Sequence, residues 1–169
     1  MKIFRIPTVA SFTLIIFVLS CGEEDNGPGY KFIDQDAAGK IDKVNWTYAD
    51  GYADIETFGT GSDLRVSVDL TIPQTEEGCD IFIPEGDMVF FSVPNEVGLY
   101  KLKLDLNCFT CADNITVTLF KKDGFENFIA TEGAVEILAI SDTEVSGRID
   151  ARYDGNTFVN GNFAVSICP

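Results

Sequence analysis

The chain reads Leu64-Arg65-Val66-Ser67-Val68-Asp69-Leu70-Thr71-Ile72 at its most regular point, and every second side chain is apolar. Side chains alternate between the two faces of a β-strand, so this stretch predicts a strand with one buried and one wet face. The same alternation recurs over residues 100–106 and 115–119. No helical spacing persists beyond a turn or two. The sequence therefore predicts an all-β fold, an antiparallel β-sandwich of about 8–10 strands in a single domain.

Residues 134–167 predict a three-stranded meander, because two short loops divide one alternating pattern. The loop at residues 141–143 aligns the first two strands in four pairs: Ala139 with Val145, Ile137 with Gly147, Val135 with Ile149, and Glu136 with Arg148. The loop at residues 154–156 aligns the next two strands: Ile149 with Gly161, Gly147 with Phe163, Val145 with Val165, and Arg148 with Asn162. Two glycines then face inward, where we expect them to make room for Phe163 and Ile149.

A second hairpin is predicted at Asp50-Gly51, since this dipeptide is typical of a type I′ turn. The turn sets Trp46 opposite Ile55 and Tyr48 opposite Ala53, so both rings share one face of the sheet. That face has to be buried, which favours a core position for Trp46 and Tyr48. The alternative is an exposed aromatic pair that stacks on sugar rings.

The N-terminus has the pattern of a lipoprotein signal peptide. An apolar run over residues 9–19 is shorter than the roughly 20 residues that a membrane span needs, and Cys21 follows Val18-Leu19-Ser20. Residues 1–20 are therefore predicted to be removed and Cys21 to be lipidated. The next residues, Gly22-Glu23-Glu24-Asp25, resemble the acidic export tag of surface lipoproteins of Bacteroidota. Residues 21–30 are predicted to be an acidic tether and residues 31–169 the β-sandwich domain.

Length and charge limit the partners of the mature chain. Removing residues 1–20 leaves 149 residues, which suits one domain, with 10 basic and 27 acidic side chains and a formal charge of −17. Nucleic acid is excluded, because no basic surface is available to neutralise its phosphates. Anionic headgroups repel the acidic tether, so we expect it to stand off the membrane; the alternative is an ordinary solvated linker.

Four cysteines remain after lipidation: Cys79, Cys108, Cys111 and Cys168. An even number in an exported protein predicts structural disulfides, with three pairings left open. Redox chemistry at Cys108-Phe109-Thr110-Cys111 is an alternative, but it needs a thiol at a helix N-terminus, and strand-like segments flank this motif. A four-thiolate zinc site is the other alternative. Such sites usually have two closely spaced pairs of cysteines, whereas Cys79 and Cys168 are each isolated in the sequence.

Composition excludes most catalytic sites. The chain contains no histidine, which removes Ser-His-Asp and Cys-His nucleophilic sites and His-ligated zinc. It also lacks nucleotide-binding glycine loops and a Gly-x-Ser-x-Gly elbow. The loop at residues 73–87 does concentrate five carboxylates with no base: Glu76, Glu77, Asp80, Glu85 and Asp87. Such groups serve a glycosidase when two lie about 5–9 Å apart, or they bind Ca²⁺; the plain interpretation is a solvated loop.

Short motifs at both ends of the predicted domain resemble a family. Gly39-Lys40-Ile41-Asp42-Lys43-Val44-Asn45-Trp46-Thr47 opens the domain, and Val145-Ser146-Gly147-Arg148-Ile149 and Val159-Asn160-Gly161-Asn162-Phe163 end it. In these motifs residues 38–167 resemble the small, uncharacterised β-sandwich lipoproteins of Bacteroidota. That family commonly has a glycine directly after the Asp of the opening motif, where this chain has Lys43. The resemblance implies a β-sandwich lipoprotein and carries no catalytic residue to this chain.

These observations together favour a non-enzymatic binding or structural module. The lipid on Cys21 anchors it in the outer membrane, on the cell surface or else facing the periplasm. Loops on a rigid sandwich are expected to bind a glycan or an outer-membrane protein, with no cofactor except, as an alternative, Ca²⁺. The competing hypothesis is a carboxylate-dependent glycoside hydrolase or calcium-binding domain, and a hydrolase requires two carboxylates that converge in a concave pocket.

Overall fold

A computed structural model describes residues 29–57, 63–81, 84–108, 111 and 113–169. The predicted signal peptide, Cys21 and most of the predicted tether lie outside these residues. The described part contains one short 3₁₀ turn (Gly78–Asp80) and eleven β-strands. The strands are β1 (Ala38–Ile41), β2 (Val44–Thr47), β3 (Asp50–Thr57), β4 (Leu64–Thr71), β5 (Met88–Pro94), β6 (Gly98–Lys101), β7 (Val117–Lys121), β8 (Glu126–Ala130), β9 (Glu132–Ile140), β10 (Glu144–Asp154) and β11 (Thr157–Ile167). The all-β prediction is confirmed.

The strands form one curled sheet in the order β6-β9-β10-β11-β3-β4-β5-β7-β8, with β1 paired to both β11 and β2. Most neighbours are antiparallel, but β3 and β11 run parallel where Tyr52 faces Ser166. The curl brings β8 towards β10, so that the rings of Phe128 and Tyr153 lie 5.4 Å apart. The predicted antiparallel β-sandwich of about 8–10 strands thus takes the form of a curled, mixed half-barrel, in which the described residues form eleven strands. Alternation reveals each strand's buried face but not its neighbours, which explains the difference.

The predicted meander is confirmed in β9, β10 and β11. All four predicted pairs between β10 and β11 are present, from Val145 with Val165 to Ile149 with Gly161. Between β9 and β10, Val135 faces Ile149 and Glu136 faces Arg148 as predicted. Val145 faces Ile140 instead of Ala139, because the register shifts by one residue between Ser146 and Gly147. A β-bulge inserts one extra residue in this way, and the inward pairs beyond it keep the predicted alignment.

The predicted turn at Asp50-Gly51 is wrong, since both residues lie inside β3. The hairpin turn lies at Asp42-Lys43, where both residues have the positive φ that a type I′ turn requires, +46° and +70°. β2 therefore pairs with β1, and β3 pairs with β4, so that Ala53 faces Val68. The Asp50 carboxylate accepts hydrogen bonds from the amides of Gly51 and Gly78, which ties the start of β3 to the 3₁₀ turn.

The core lies on the inner face of the curled sheet. Trp46 is buried, as predicted, and its indole N–H donates to the carbonyl of Asp87. The alternating stretch of β4 places Val66, Val68 and Leu70 in this core. Leu64 begins β4 but is half exposed, and Leu106 lies beyond β6 and is 67% exposed. The alternation therefore overstates the buried face of β4 and the length of β6.

Gly147 and Gly161 both make room for a neighbour, but the neighbour of Gly161 differs from the predicted one. A Cβ at Gly147 would lie close to the carbonyl oxygen of Glu136 and 2.7 Å from the ring of Phe163, the predicted partner. A Cβ on Gly161 meets the backbone of residues 35–37 at 2.7 Å instead of Ile149. Gly161 also has a φ of +142°, which disfavours a side chain. The first glycine therefore serves the core, and the second serves the N-terminal segment.

Two disulfides use all four predicted cysteines. Cys79 in the 3₁₀ turn bonds Cys168, which follows β11, and Cys108 bonds Cys111. The first bond spans a separation of 89 residues, and the second closes a ring across a separation of three. With every one of these thiols in a disulfide, the structure favours structural bonds over the thiolate zinc site.

Candidate functional site

Residues 29–37, here called the strap, run along β10 and β11 before β1 begins. The backbone amide of Lys31 donates to the Asp150 carboxylate at 2.7 Å, and that of Ile33 donates to the Asn160 side chain at 2.8 Å. The Asn160 amide in turn donates to the carbonyl of Lys31. Further along, Asn162 exchanges backbone hydrogen bonds with Gln35 and Ala37. The strap is therefore held along its whole length by the C-terminal strands.

Asp150 and Asn160 are the polar anchors of the strap, and they are 1% and 8% exposed. A buried polar group is tolerated when its hydrogen bonds are satisfied, and here the strap backbone satisfies them. Arg152 donates to Asp150 and to the carbonyl of Gly29, which neutralises the buried carboxylate. Gly29, which the sequence assigned to the tether, is thus already in contact with β10. In the sequence, only the polar residues on the predicted wet face of β10 and β11 indicate this contact.

An outer pocket of about 460 Å³ lies beside the middle of the strap. Its walls combine apolar and hydrogen-bonding side chains: Phe32, Ile33, Asp34, Leu138, Arg148 and Asn162. The Asn162 amide donates to the Asp34 carboxylate at 3.0 Å, and Arg148 pairs with Glu136. The Arg148 guanidinium also lies over the Phe32 ring, 4.5 Å from its centroid. These mutual contacts hold the polar groups of the pocket in defined positions before a ligand arrives.

An N-terminal groove of about 540 Å³ lies at the start of the strap. It is more open than the outer pocket, and its lining includes Tyr30, Lys31, Lys101, Leu102, Glu132 and Arg152. Arg152 pairs with Asp150 at 2.9 Å and lies 3.8 Å from Glu132. The side-chain ammonium groups of Lys31 and Lys101 form no ion pair with a carboxylate among the described residues. The groove therefore presents two unneutralised cations in a strongly acidic protein.

The predicted acidic loop does not assemble into a site among the described residues. Glu76, Glu77, Asp80 and Glu85 are exposed. Asp87 is half-buried, and its carboxylate accepts a hydrogen bond from the backbone amide of Lys122, which ties the loop to the end of β7. Within the ranges that the structure describes, no group of three or more acidic or cysteine side chains could hold a metal ion. The loop is instead fastened by the Cys79–Cys168 disulfide and by Asp50.

One carboxylate outside both depressions has a strongly shifted proton affinity. Burial, with the nearby Asp54 charge adding to it, raises the pKa of Asp69 to about 6. Asp69 on β4 pairs with Tyr52 on β3, and burial raises the pKa of that phenol to about 12. The phenol lowers the pKa of Asp69 by hydrogen bonding, but burial outweighs it. Neither depression includes this pair in its lining, and the raised pKa of Asp69 links the pair to the pH dependence of stability.

Comparison of this chain with protein-family models, with curated proteins and with solved structures returns no match. The function therefore has to be inferred from the geometry. Among the residues that the structure describes, no helix has the length and apolar character needed to cross a bilayer.

Proposed function

We propose that the protein is a non-enzymatic saccharide-binding module, anchored on the cell surface by lipid on Cys21, and that the outer pocket binds the sugar. The observation that carries this proposal is the lining of the pocket. It offers a carboxylate acceptor on Asp34, an amide on Asn162 and a guanidinium on Arg148, next to an aromatic ring and two aliphatic side chains. Sugars present hydroxyl groups around an apolar ring face, which matches this mixture of groups.

The size and shape of the pocket favour a small ligand over a protein partner. Its volume of about 460 Å³ lies within the range of about 300–1,000 Å³ that is usual for small-molecule sites. A stable protein interface needs on the order of 800 Å² on each partner and a larger surface than this concavity provides. We therefore favour a glycan ligand over an outer-membrane protein.

The carboxylates favour binding over hydrolysis. Asp34 is the one carboxylate among the described residues that line the pocket. A glycosidase of the usual kind needs a second carboxylate about 5–9 Å away, on the other side of the scissile bond. Glu136 is engaged by Arg148 outside the lining. The pocket therefore has the groups to orient a sugar but lacks the paired groups for acid and base catalysis.

The strap limits the distance between the sheet and the proposed lipid anchor. Gly29 is held by Arg152, and seven residues separate it from Cys21. A peptide of that length spans at most about 25–30 Å. Lipid on Cys21 would thus hold the sheet close to the membrane, with the strap and its pocket on the anchored side.

The binding proposal is tested with the lipidated full chain in detergent, on an array of neutral and acidic oligosaccharides, followed by calorimetric titration. Asp34→Ala removes an acceptor of sugar hydroxyls and is expected to weaken binding about tenfold or more. Asp36→Ala is the matched control, because Asp36 is an exposed strap carboxylate outside the pocket. Binding of no saccharide by the wild type, or equal affinity of the wild type and Asp34→Ala, would reject the proposal.

The anchor is tested separately. Intact-mass measurement of the native protein is expected to show a chain that begins at an acylated Cys21, and Cys21→Ser is expected to lose membrane association. An unmodified Cys21 in the membrane fraction would overturn the anchor and leave the pocket untouched.

A further inference from the structure

The N-terminal groove and the outer pocket meet at an aromatic pair. Tyr30 lines the groove and Phe32 lines the pocket, and their ring centroids lie 5.3 Å apart. Each depression also contains one arginine of β10, Arg152 in the groove and Arg148 in the pocket. Four residues along a strand correspond to about 13 Å. The two depressions are therefore neighbours along one edge of the strap, at a distance that a short oligosaccharide can span.

The groove is basic in a protein that is otherwise acidic. It contains three of the ten basic residues of the chain after Cys21, which carries a formal charge of −17. Arg152 is already neutralised by Asp150 and Glu132, whereas Lys31 and Lys101 are exposed and have no carboxylate partner among the described residues. Their ammonium groups are therefore available to an anion from solvent.

We infer that the saccharide is acidic and occupies both depressions, an inference that rests on the proposed function. Its carboxylate or other acid group lies in the groove lined by Lys31 and Lys101. The chain then passes the Tyr30–Phe32 pair, and a neutral ring occupies the pocket beside Asp34. The aromatic pair offers apolar surface to a sugar ring between the two polar ends.

Electrostatics explains why the acid group selects this end of the strap. The high negative charge of the protein repels an acidic glycan from most of its surface, and the groove is a local exception. Exposed ion pairs contribute about 0.2–1 kcal/mol each, so two lysines correspond to about a twofold to thirtyfold gain in affinity. Charges of this kind set specificity more than total affinity, and salt screens them.

The test compares each acid with its own uncharged form. Short oligomers of galacturonate, mannuronate and glucuronate-containing glycan are titrated into the lipidated full chain, each alongside its methyl ester. The wild type is expected to bind at least one acid about fivefold to tenfold more tightly than the ester, and to lose this preference in 0.5 M salt. Lys31→Gln/Lys101→Gln is expected to bind the acid and the ester equally.

The matched control is Lys40→Gln/Lys43→Gln, which removes two lysines of the β1–β2 hairpin that are without an ion pair among the described residues. It is expected to keep the wild-type preference, and a loss of preference there would overturn the assignment to the groove. Equal binding of acid and ester by the wild type, or a preference that persists in the Lys31/Lys101 variant, would also overturn it. If neutral sugars still bind and Asp34→Ala weakens them, the proposed function stands while this inference fails. If no sugar of either kind binds, both fail.

Discussion

Strand pairing was predicted correctly for most of the C-terminal meander, β9 to β11, but not for the N-terminal strands, β1 to β3. In the meander each strand pairs with the next one along the chain, and the predicted pairs hold apart from one bulge. In the N-terminal region β2 pairs only backwards with β1, while β3 pairs with β4 and, in parallel, with the end of β11. Local turns determine the first arrangement, and contacts from distant parts of the chain determine the second.

A turn-forming dipeptide forms a turn only when no tertiary contact competes for its polar groups. Asp50-Gly51 has the composition of a hairpin turn, but the Asp50 carboxylate is used by Gly78 and its carbonyl by Thr71. Asp42-Lys43 forms the turn instead, although Lys43 has to adopt a left-handed conformation. The backbone amide of Lys43 donates to Asn156 of the β10–β11 turn, which supports the strained residue.

The largest expected effect comes from the residue that joins the meander to the opposite wall. Phe163 is 4% exposed, and its ring contacts Phe91 of β5 edge-on with centroids 5.6 Å apart. Phe163→Ala is expected to cost about 3–5 kcal/mol of unfolding free energy, through lost burial and a cavity. Val44→Ala in β2, where the side chain is 55% exposed, is expected to cost under about 0.5 kcal/mol. Urea unfolding of both variants measures the contrast, and equal losses would contradict it.

The next effect concerns the disulfide that fastens the end of the meander to the 3₁₀ turn. Cys168 follows the meander, bonds Cys79 and donates its amide to Ala53 of β3. The chain-entropy model assigns more stabilisation to a longer closed loop, so Cys79→Ala/Cys168→Ala is expected to cost about 2–4 kcal/mol. Cys108→Ala/Cys111→Ala opens only a ring across three residues and is expected to cost about 2 kcal/mol less than that. Denaturant midpoints decide between them, and the opposite ranking would refute the role of the long loop.

The carboxylates on the outer face of the sheet differ in their partners. In the meander Asp150 and Glu136 each pair with an arginine, whereas Asp69 of β4 faces Tyr52 and Asp54. The pKa of Asp69 rises from 3.8 to about 6 on folding, so the folded state holds the proton more tightly than the unfolded state. Stability is therefore highest below pH 4 with respect to this group and is lost as the pH rises through 6, by at most about 3 kcal/mol.

Asp69→Asn is expected to remove this loss, so that its unfolding free energy exceeds that of the wild type progressively between pH 4 and pH 7. Chemical denaturation at pH 4, 5.5 and 7 measures the difference. Asp142→Asn, in the exposed β9–β10 loop, serves as the control. If the curves of wild type and Asp69→Asn run parallel across this range, the burial of Asp69 does not control its ionisation.

The smallest effect tests the strained turn itself. Lys43 has a φ of +70°, a conformation that costs a non-glycine residue about 1–2 kcal/mol and glycine little. Lys43→Gly is expected to stabilise the protein by about 0.5–1 kcal/mol, after the entropy cost of glycine is counted. Lys40→Gly, inside β1, is expected to destabilise it by a similar amount. Thermal unfolding is the measurement, and a loss of stability in Lys43→Gly would mean that the side chain, not the turn conformation, matters there.

The candidate site was harder to predict than the fold. The sequence drew attention to the acidic loop, because five carboxylates stand close together along the chain from Glu76 to Asp87. Four of these side chains are exposed, and among the described residues no group of three or more could hold a metal ion. The outer pocket combines Asp34, Leu138 and Asn162, which are separated by more than a hundred residues at the extremes. No local pattern connects such residues.

Sequence pattern alone was enough for the all-β class, for the burial of alternating side chains such as Val66 and Val68, and for the register of the meander apart from the bulge between β9 and β10, because these follow from neighbours along the chain. The remaining features of the fold depend on tertiary contacts. It joined two antiparallel blocks through the parallel contact of β3 with β11, paired Cys79 with Cys168, and laid the strap over Asp150 and Asn160. Each of these depends on satisfying backbone and polar groups of one segment with a distant one, a requirement that acts only when the chain is folded.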